Sequence, residues 1–136
     1  MKLNMFVLIA FTLISSMFFS IDASAQMQDT QDYTERAQQE ADRLQRILNL
    51  EDWQVFYVDS TLQHDLTAIM TEVRKLQAAK VNNASIYQDV QDKWLDQIDA
   101  TYKKIFTEEQ WSAYLRSGAG KAQKTREKRR MKTQGK

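Results

Sequence analysis

Between Gln26 and Ser117 the chain has no proline and no glycine; its three glycines all stand at Gly118 or beyond. In a helix interior glycine costs about 1 kcal/mol and proline about 3 kcal/mol relative to alanine. A stretch this long without either residue goes into long helices. Cysteine is also absent, which removes disulfides and thiolate metal sites as staples. Cohesion must therefore come from apolar helix faces packed on one another. A chain of 136 residues supports one such domain.

The first 25 residues read differently. Lys2 is followed by an almost unbroken apolar run from Leu3 to Ile21, with Asn4 its one strongly polar member. Ala23-Ser24-Ala25 then places small side chains where signal peptidase cuts. We expect a signal peptide over residues 1–25, cleaved after Ala25, and an exported, periplasmic chain. The run is about long enough to span a bilayer, so a membrane anchor is the competing reading. No cysteine follows it to carry a lipid. The remainder divides into a helical domain (26–120) and a tail (121–136). Residues 26–120 hold 10 basic and 16 acidic side chains, whereas the tail holds 8 and 1.

Apolar periodicity places about four helices in the domain. The first is expected over residues 31–48, with Tyr33, Ala37, Ala41, Leu44, Ile47 and Leu48 on its inner side and Asp29 or Thr30 as cap. The second spans residues 52–80. There Val55, Val58, Leu62, Leu66, Ile69, Val73 and Leu76 recur at steps of three and four, a coiled-coil-like seam that favours a shallow crossing angle. After a turn at residues 81–84, Ser85 and Gln88 read as a capping box opening the third helix, whose stripe is Tyr87, Val90, Trp94, Ile98, Tyr102 and Ile105. So short a turn makes these two helices a long antiparallel hairpin. Thr107 and Gln110 form another capping box, Phe106 and Trp111 stand at the positions of a hydrophobic staple, and Gly118 is a natural stop for the fourth helix. The fold class is all-α, with a flexible basic C-terminal tail.

Leu50-Glu51-Asp52-Trp53-Gln54 and Phe106-Thr107-Glu108-Glu109-Gln110 echo each other, both reading apolar, cap, two free positions, Gln. The pair resembles the Leu-Thr-x-x-Gln motifs of the Spy/CpxP family of periplasmic stress proteins, and the likeness covers roughly residues 31–115. The resemblance implies an all-helical, cradle-shaped antiparallel dimer. It also implies ATP-independent chaperone activity, modulation of envelope-stress sensing, or metal binding. Glu51 departs from the motif's Thr and Phe106 from its Leu. With Glu a poor cap, Asn49 would cap the second helix, with Asp52 at the third position. A plainer reading of the same residues is two helix starts in an ordinary bundle.

No nucleophile, acid and base converge in the sequence, so no catalytic residue and no enzyme is expected. His64 is the one histidine and reads as a surface residue, since it cannot make a metal site alone. Asp89, Asp92, Asp96 and Asp99 share one helix face and read as solvated, with Lys93 and Lys103 as partners of Asp89 and Asp99. Neither a cofactor nor a phosphate-cradling glycine loop is expected. Ten aromatics follow residue 25, and Trp53, Phe56 and Tyr57 crowd more than one face of the second helix. They are the candidate surface for an unfolded client or regulatory protein. The tail cations Lys121, Lys124, Arg126, Lys128, Arg129, Arg130 and Lys132 suit an anionic lipid, an acidic protein or the chain's own acidic body. Export would remove nucleic acid as a partner. The expected function is a chaperone-like or stress-modulating protein binder. The alternative is a structural envelope adaptor tethered by its tail.

Overall fold

The computed structural model describes residues 26–135, with side chains from Tyr33 onward. The expected signal peptide lies outside the described residues. The order is α1 (Gln26–Leu48), α2 (Asp52–Ala78), α3 (Ala84–Ile105), α4 (Glu108–Tyr114), a wide turn (Leu115–Ala119) and α5 (Gly120–Gln134). The protein is all-α, with α2 and α3 forming the long hairpin. Among the described residues no helix is long and apolar enough to cross a membrane.

The helix ends correct several expectations. α1 begins at or before Gln26, so Asp29 and Thr30 lie inside it and do not cap it. Asn49 does not cap α2. It takes a left-handed conformation (φ 52°) that ends α1, as asparagine tolerates better than most residues, and Glu51 occupies the N-cap position of α2. α2 stops at Ala78, two residues short of expectation, and Lys80 (φ 56°) turns the chain. Asn83 caps α3, its Oδ1 accepting from the Ser85 N–H at 3.0 Å. Ser85 therefore sits inside the first turn, and Gln88 donates to Asp92 (3.0 Å) where a capping box was expected.

One apolar core joins α1, α2 and α3. Ala37, Ala41, Leu44 and Leu48 meet Leu50, Val58 and Leu62, with Ile98, Tyr102 and Phe106 opposite. Alanines on the inner face of α1 let it lie close to its neighbours, and burial of the larger side chains contributes roughly 1.5–3 kcal/mol each. Beyond this core Ile69 and Val73 carry the seam on along the hairpin. Lys93 bonds Glu72 of the facing helix at 2.6 and 2.8 Å, and not the expected Asp89. Its hydrogen bond is the main reason the Glu72 carboxyl lies below its ordinary range. At the other end the rings of Phe106 and Trp111 meet on Tyr114, with centroids 5.8 and 5.5 Å from it. The expected staple thus closes through a third ring.

The largest correction concerns the tail. Residues 120–134 form α5, antiparallel to α3, with arginines seated on the aspartate row. Arg126 Nε donates to Asp96 at 2.8 Å and its Nη2 to Asp99. Arg129 makes a two-pronged bond to Asp92, at 2.8 Å on each prong, and Arg130 reaches Asp96. The face read as solvated is occupied, and Asp99 pairs with Arg126 in place of Lys103. Gly118 is a hinge between helices: with φ 122° it breaks the turn where a side chain would be strained, and the Gly120 N–H closes on the Leu115 carbonyl. A Cβ on Gly120 would lie 3.0 Å from that oxygen.

Two phenols are enclosed by this packing. Burial, then the nearby Glu40 and Asp99 carboxylates, holds Tyr102 well above its usual pKa. Burial, then Asp99, does the same for Tyr114. Raised folded-state values mean that the fold keeps these protons where the unfolded chain has lost them. Stability is therefore intact below a pH of about 10 and falls as pH rises beyond it. In an absorbance titration of the five tyrosines, the Tyr102 and Tyr114 signals are expected only together with loss of helicity by circular dichroism.

Candidate protein-binding surface

The two echoing segments face each other. Gln54 and Gln110, 56 residues apart, exchange amide hydrogen bonds: Gln54 Nε2 donates to Gln110 Oε1 at 2.7 Å, and Gln110 Nε2 to Gln54 Oε1 at 3.1 Å. Each oxygen also accepts from the backbone N–H of its own N-cap, Glu51 at 2.9 Å and Thr107 at 3.0 Å. Each nitrogen also donates to the carbonyl just before the opposite segment, Ile105 at 3.1 Å and Asn49 at 3.5 Å. Every donor and acceptor of both amides is used. A polar side chain only 2 % exposed, as Gln54 is, is tolerated on this condition. Flanking Leu50 and Phe106 are buried in the core. The repeat is thus a reciprocal clasp that locks the start of α2 to the start of α4. The second capping box is present as expected, with Thr107 Oγ1 accepting from Gln110 N at 3.2 Å.

Directly beside the clasp, α2 turns its outer side to solvent. Trp53, Phe56 and Tyr57 are 51 %, 66 % and 53 % exposed, whereas Gln54 and Val58 on the opposite side are buried. Tyr57 holds both other rings edge-on, at 6.2 Å from Trp53 and 5.8 Å from Phe56. The Trp53 indole N–H donates to Glu51 at 2.5 Å. These contacts limit the rotamers of an exposed aromatic group, which lowers the entropy cost of binding against it. Large aromatics left open on a rigid helix mark an interaction surface more often than chance exposure. Ile47, 45 % exposed, is a further apolar residue at the end of α1 that periodicity alone placed inside.

One flank of the patch is acidic. A groove of about 330 Å³ between α1 and α2 is lined by Gln38, Asp42, Asp52, Val55, Phe56 and Asp59. Asp59 accepts from Gln63 at 2.7 Å through Oδ2, while its enclosed Oδ1 has no partner. This flank is not legible from α2 alone, because Asp42 joins Asp52 and Asp59 from a different helix. His64 lies further along α2. Its Nδ1 is 2.7 Å from Asp65 and its ring rests edge-on to Trp94. Among the described residues no three His, Cys, Asp or Glu side chains gather as a metal site.

The tail candidates fall into two groups. Arg126, Arg129 and Arg130 are spent on α3, and Arg126 is buried at 3 % exposure. Lys121, Lys124, Lys128 and Lys132 remain exposed.

The fold and this surface define a small all-α protein with a clasped helix start and an open aromatic patch. Comparison with protein-family models, with curated proteins and with solved structures gives no match.

Proposed function

We propose that this chain is a non-enzymatic protein-binding protein of the cell envelope, holding unfolded clients or a regulatory partner without nucleotide, in the manner of the Spy/CpxP family it resembles. The observation that carries the reading is the exposed Trp53–Phe56–Tyr57 cluster on a helix start fixed by the Gln54–Gln110 clasp. Aromatic rings supply most of the energy in small interfaces, and carboxylates at Asp52, Asp42 and Asp59 favour apolar segments that also carry lysine or arginine. Release needs no energy source, because a patch of three rings binds weakly. The alternative adaptor reading loses part of its basis, since three of the seven tail cations are committed internally.

The test is light scattering from a chemically denatured client diluted into buffer with the chain from Gln26 onward, which carries the whole described fold. Suppression is expected near equimolar ratio. Replacing Trp53, Phe56 and Tyr57 together by Ser should weaken it by about tenfold or more, with helicity unchanged because none of the three is core. Absence of suppression across several unrelated clients would sink the proposal.

A further inference from the structure

We infer that the outer face of α5 docks the protein onto a bilayer surface bearing anionic headgroups. Lys121, Lys124, Lys128 and Lys132 follow one another at steps of three, four and four, so they form a single row along the helix. Arg126, Arg129 and Arg130 lie on the opposite side and are neutralised by Asp92, Asp96 and Asp99. All four lysines are exposed and none takes part in an ion pair among the described residues. The fold thus sorts the tail by residue type. Guanidinium forks, which suit bidentate pairing with carboxylates, face inward, while the compact ammonium groups face out.

Met131 selects a lipid surface over other polyanions. It borders the lysine row, one turn from Lys128, and is 60 % exposed. A soluble polyanion has no use for an apolar side chain at that place. A bilayer interface accepts one among the acyl chain ends while neighbouring lysines extend their stems toward the phosphates. Because α5 is held against α3, its row is presented as a preformed strip and pays little ordering entropy on docking. The inference is independent of client binding, which uses α2.

The test is co-sedimentation of the chain from Gln26 onward with vesicles of phosphatidylcholine, with or without added phosphatidylglycerol. Binding is expected only to the mixed vesicles and should weaken as salt is raised. Changing the four lysines to glutamine should lower the partition coefficient about a hundredfold, at roughly a few-fold per lysine near a charged surface. Helicity should stay unchanged, since no protein group depends on these lysines. Met131→Ser should lower vesicle binding about threefold or more, yet leave retention on a heparin column unaltered. Equal binding to neutral vesicles, or a four-lysine variant that binds as the parent does, would overturn the inference. A Met131→Ser change without effect on vesicles would overturn the choice of lipid.

Discussion

Arg126→Ala is expected to lower the unfolding free energy by about 3 kcal/mol and to detach α5, with loss of helical signal from up to its 15 residues. Arg126 is 3 % exposed and bridges two carboxylates. Burial opposes its charge most strongly, but the hydrogen bond to Asp96 and the charge of Asp99 outweigh this and raise its pKa. Removing the guanidinium leaves Asp99 holding only the Tyr114 hydroxyl at 2.6 Å and the Gln123 amide at 3.0 Å. Neither group carries charge, so a mostly buried carboxylate loses its counterion, the costly way to break such a pair. Arg129→Ala and Arg130→Ala should each cost about 1 kcal/mol or less, because their guanidinium groups are substantially solvated. Urea unfolding of the three variants separates these cases. If all three lost equally little, the tail helix would be resting on the body without being anchored by Arg126. Arg126→Lys should recover only part of the loss, since one ammonium cannot span Asp96 and Asp99 with the fork's geometry.

What the sequence disclosed follows from the range of its signals. Periodicity is local, so the stripes of α2 and α3 on either side of a short turn announce a hairpin. Most of the seam from Val58 to Val73 is buried. Caps were read less well where two candidates compete. Asn83 and Ser85 are comparable caps, and the earlier one won by starting α3 at Ala84. Asn49 is ambiguous because the same side chain suits a helix start and a left-handed helix end.

Long-range pairing is the least legible part. The acidic row on α3 reads locally as a solvated face, and the cations beyond Gly118 suit a lipid, an acidic protein or the chain's own acidic body without a choice among them. Their match depends on the kink at Gly118 and on α5 running back along α3. Likewise the glutamines read as helix-start residues, while their bond to each other depends on α2 and α4 starting at the same end of the bundle. Of the candidate surface, the exposure of Trp53, Phe56 and Tyr57 is the part the sequence hints at, through aromatics in excess of one apolar stripe. The acidic groove at their side was invisible, since it is assembled from α1 and α2 together.

The clasp offers the second large effect, and an isosteric change exposes it best. Gln54→Glu keeps size and shape but replaces the donor nitrogen by oxygen. That oxygen would face the Ile105 carbonyl and the Gln110 Oε1, both acceptors, which the nitrogen now approaches at 3.1 and 2.7 Å. Gln110 could rotate its amide to donate, but its oxygen would then leave the Thr107 N–H that it accepts from at 3.0 Å. A carboxylate would also be buried at a position only 2 % exposed. The expected cost at neutral pH is about 3 kcal/mol or more. Gln54→Met removes the polar atoms while keeping the volume, and should cost about 2 kcal/mol for the partners left unpaired. The two variants diverge with pH. In the Glu variant burial raises the folded-state pKa above the unfolded value of about 4.3, so its stability should recover as pH falls through the folded value and a restored O–H donates again. The Met variant should show no such recovery relative to the parent. Urea midpoints of both at pH values on either side of that transition decide the matter. Parallel pH profiles would mean that the amide pair is filling space and not exchanging hydrogen bonds. Because the clasp fixes the start of α2, the same Glu variant should lose client suppression at neutral pH and regain it on acidification, whereas a change at Trp53 would be insensitive to pH.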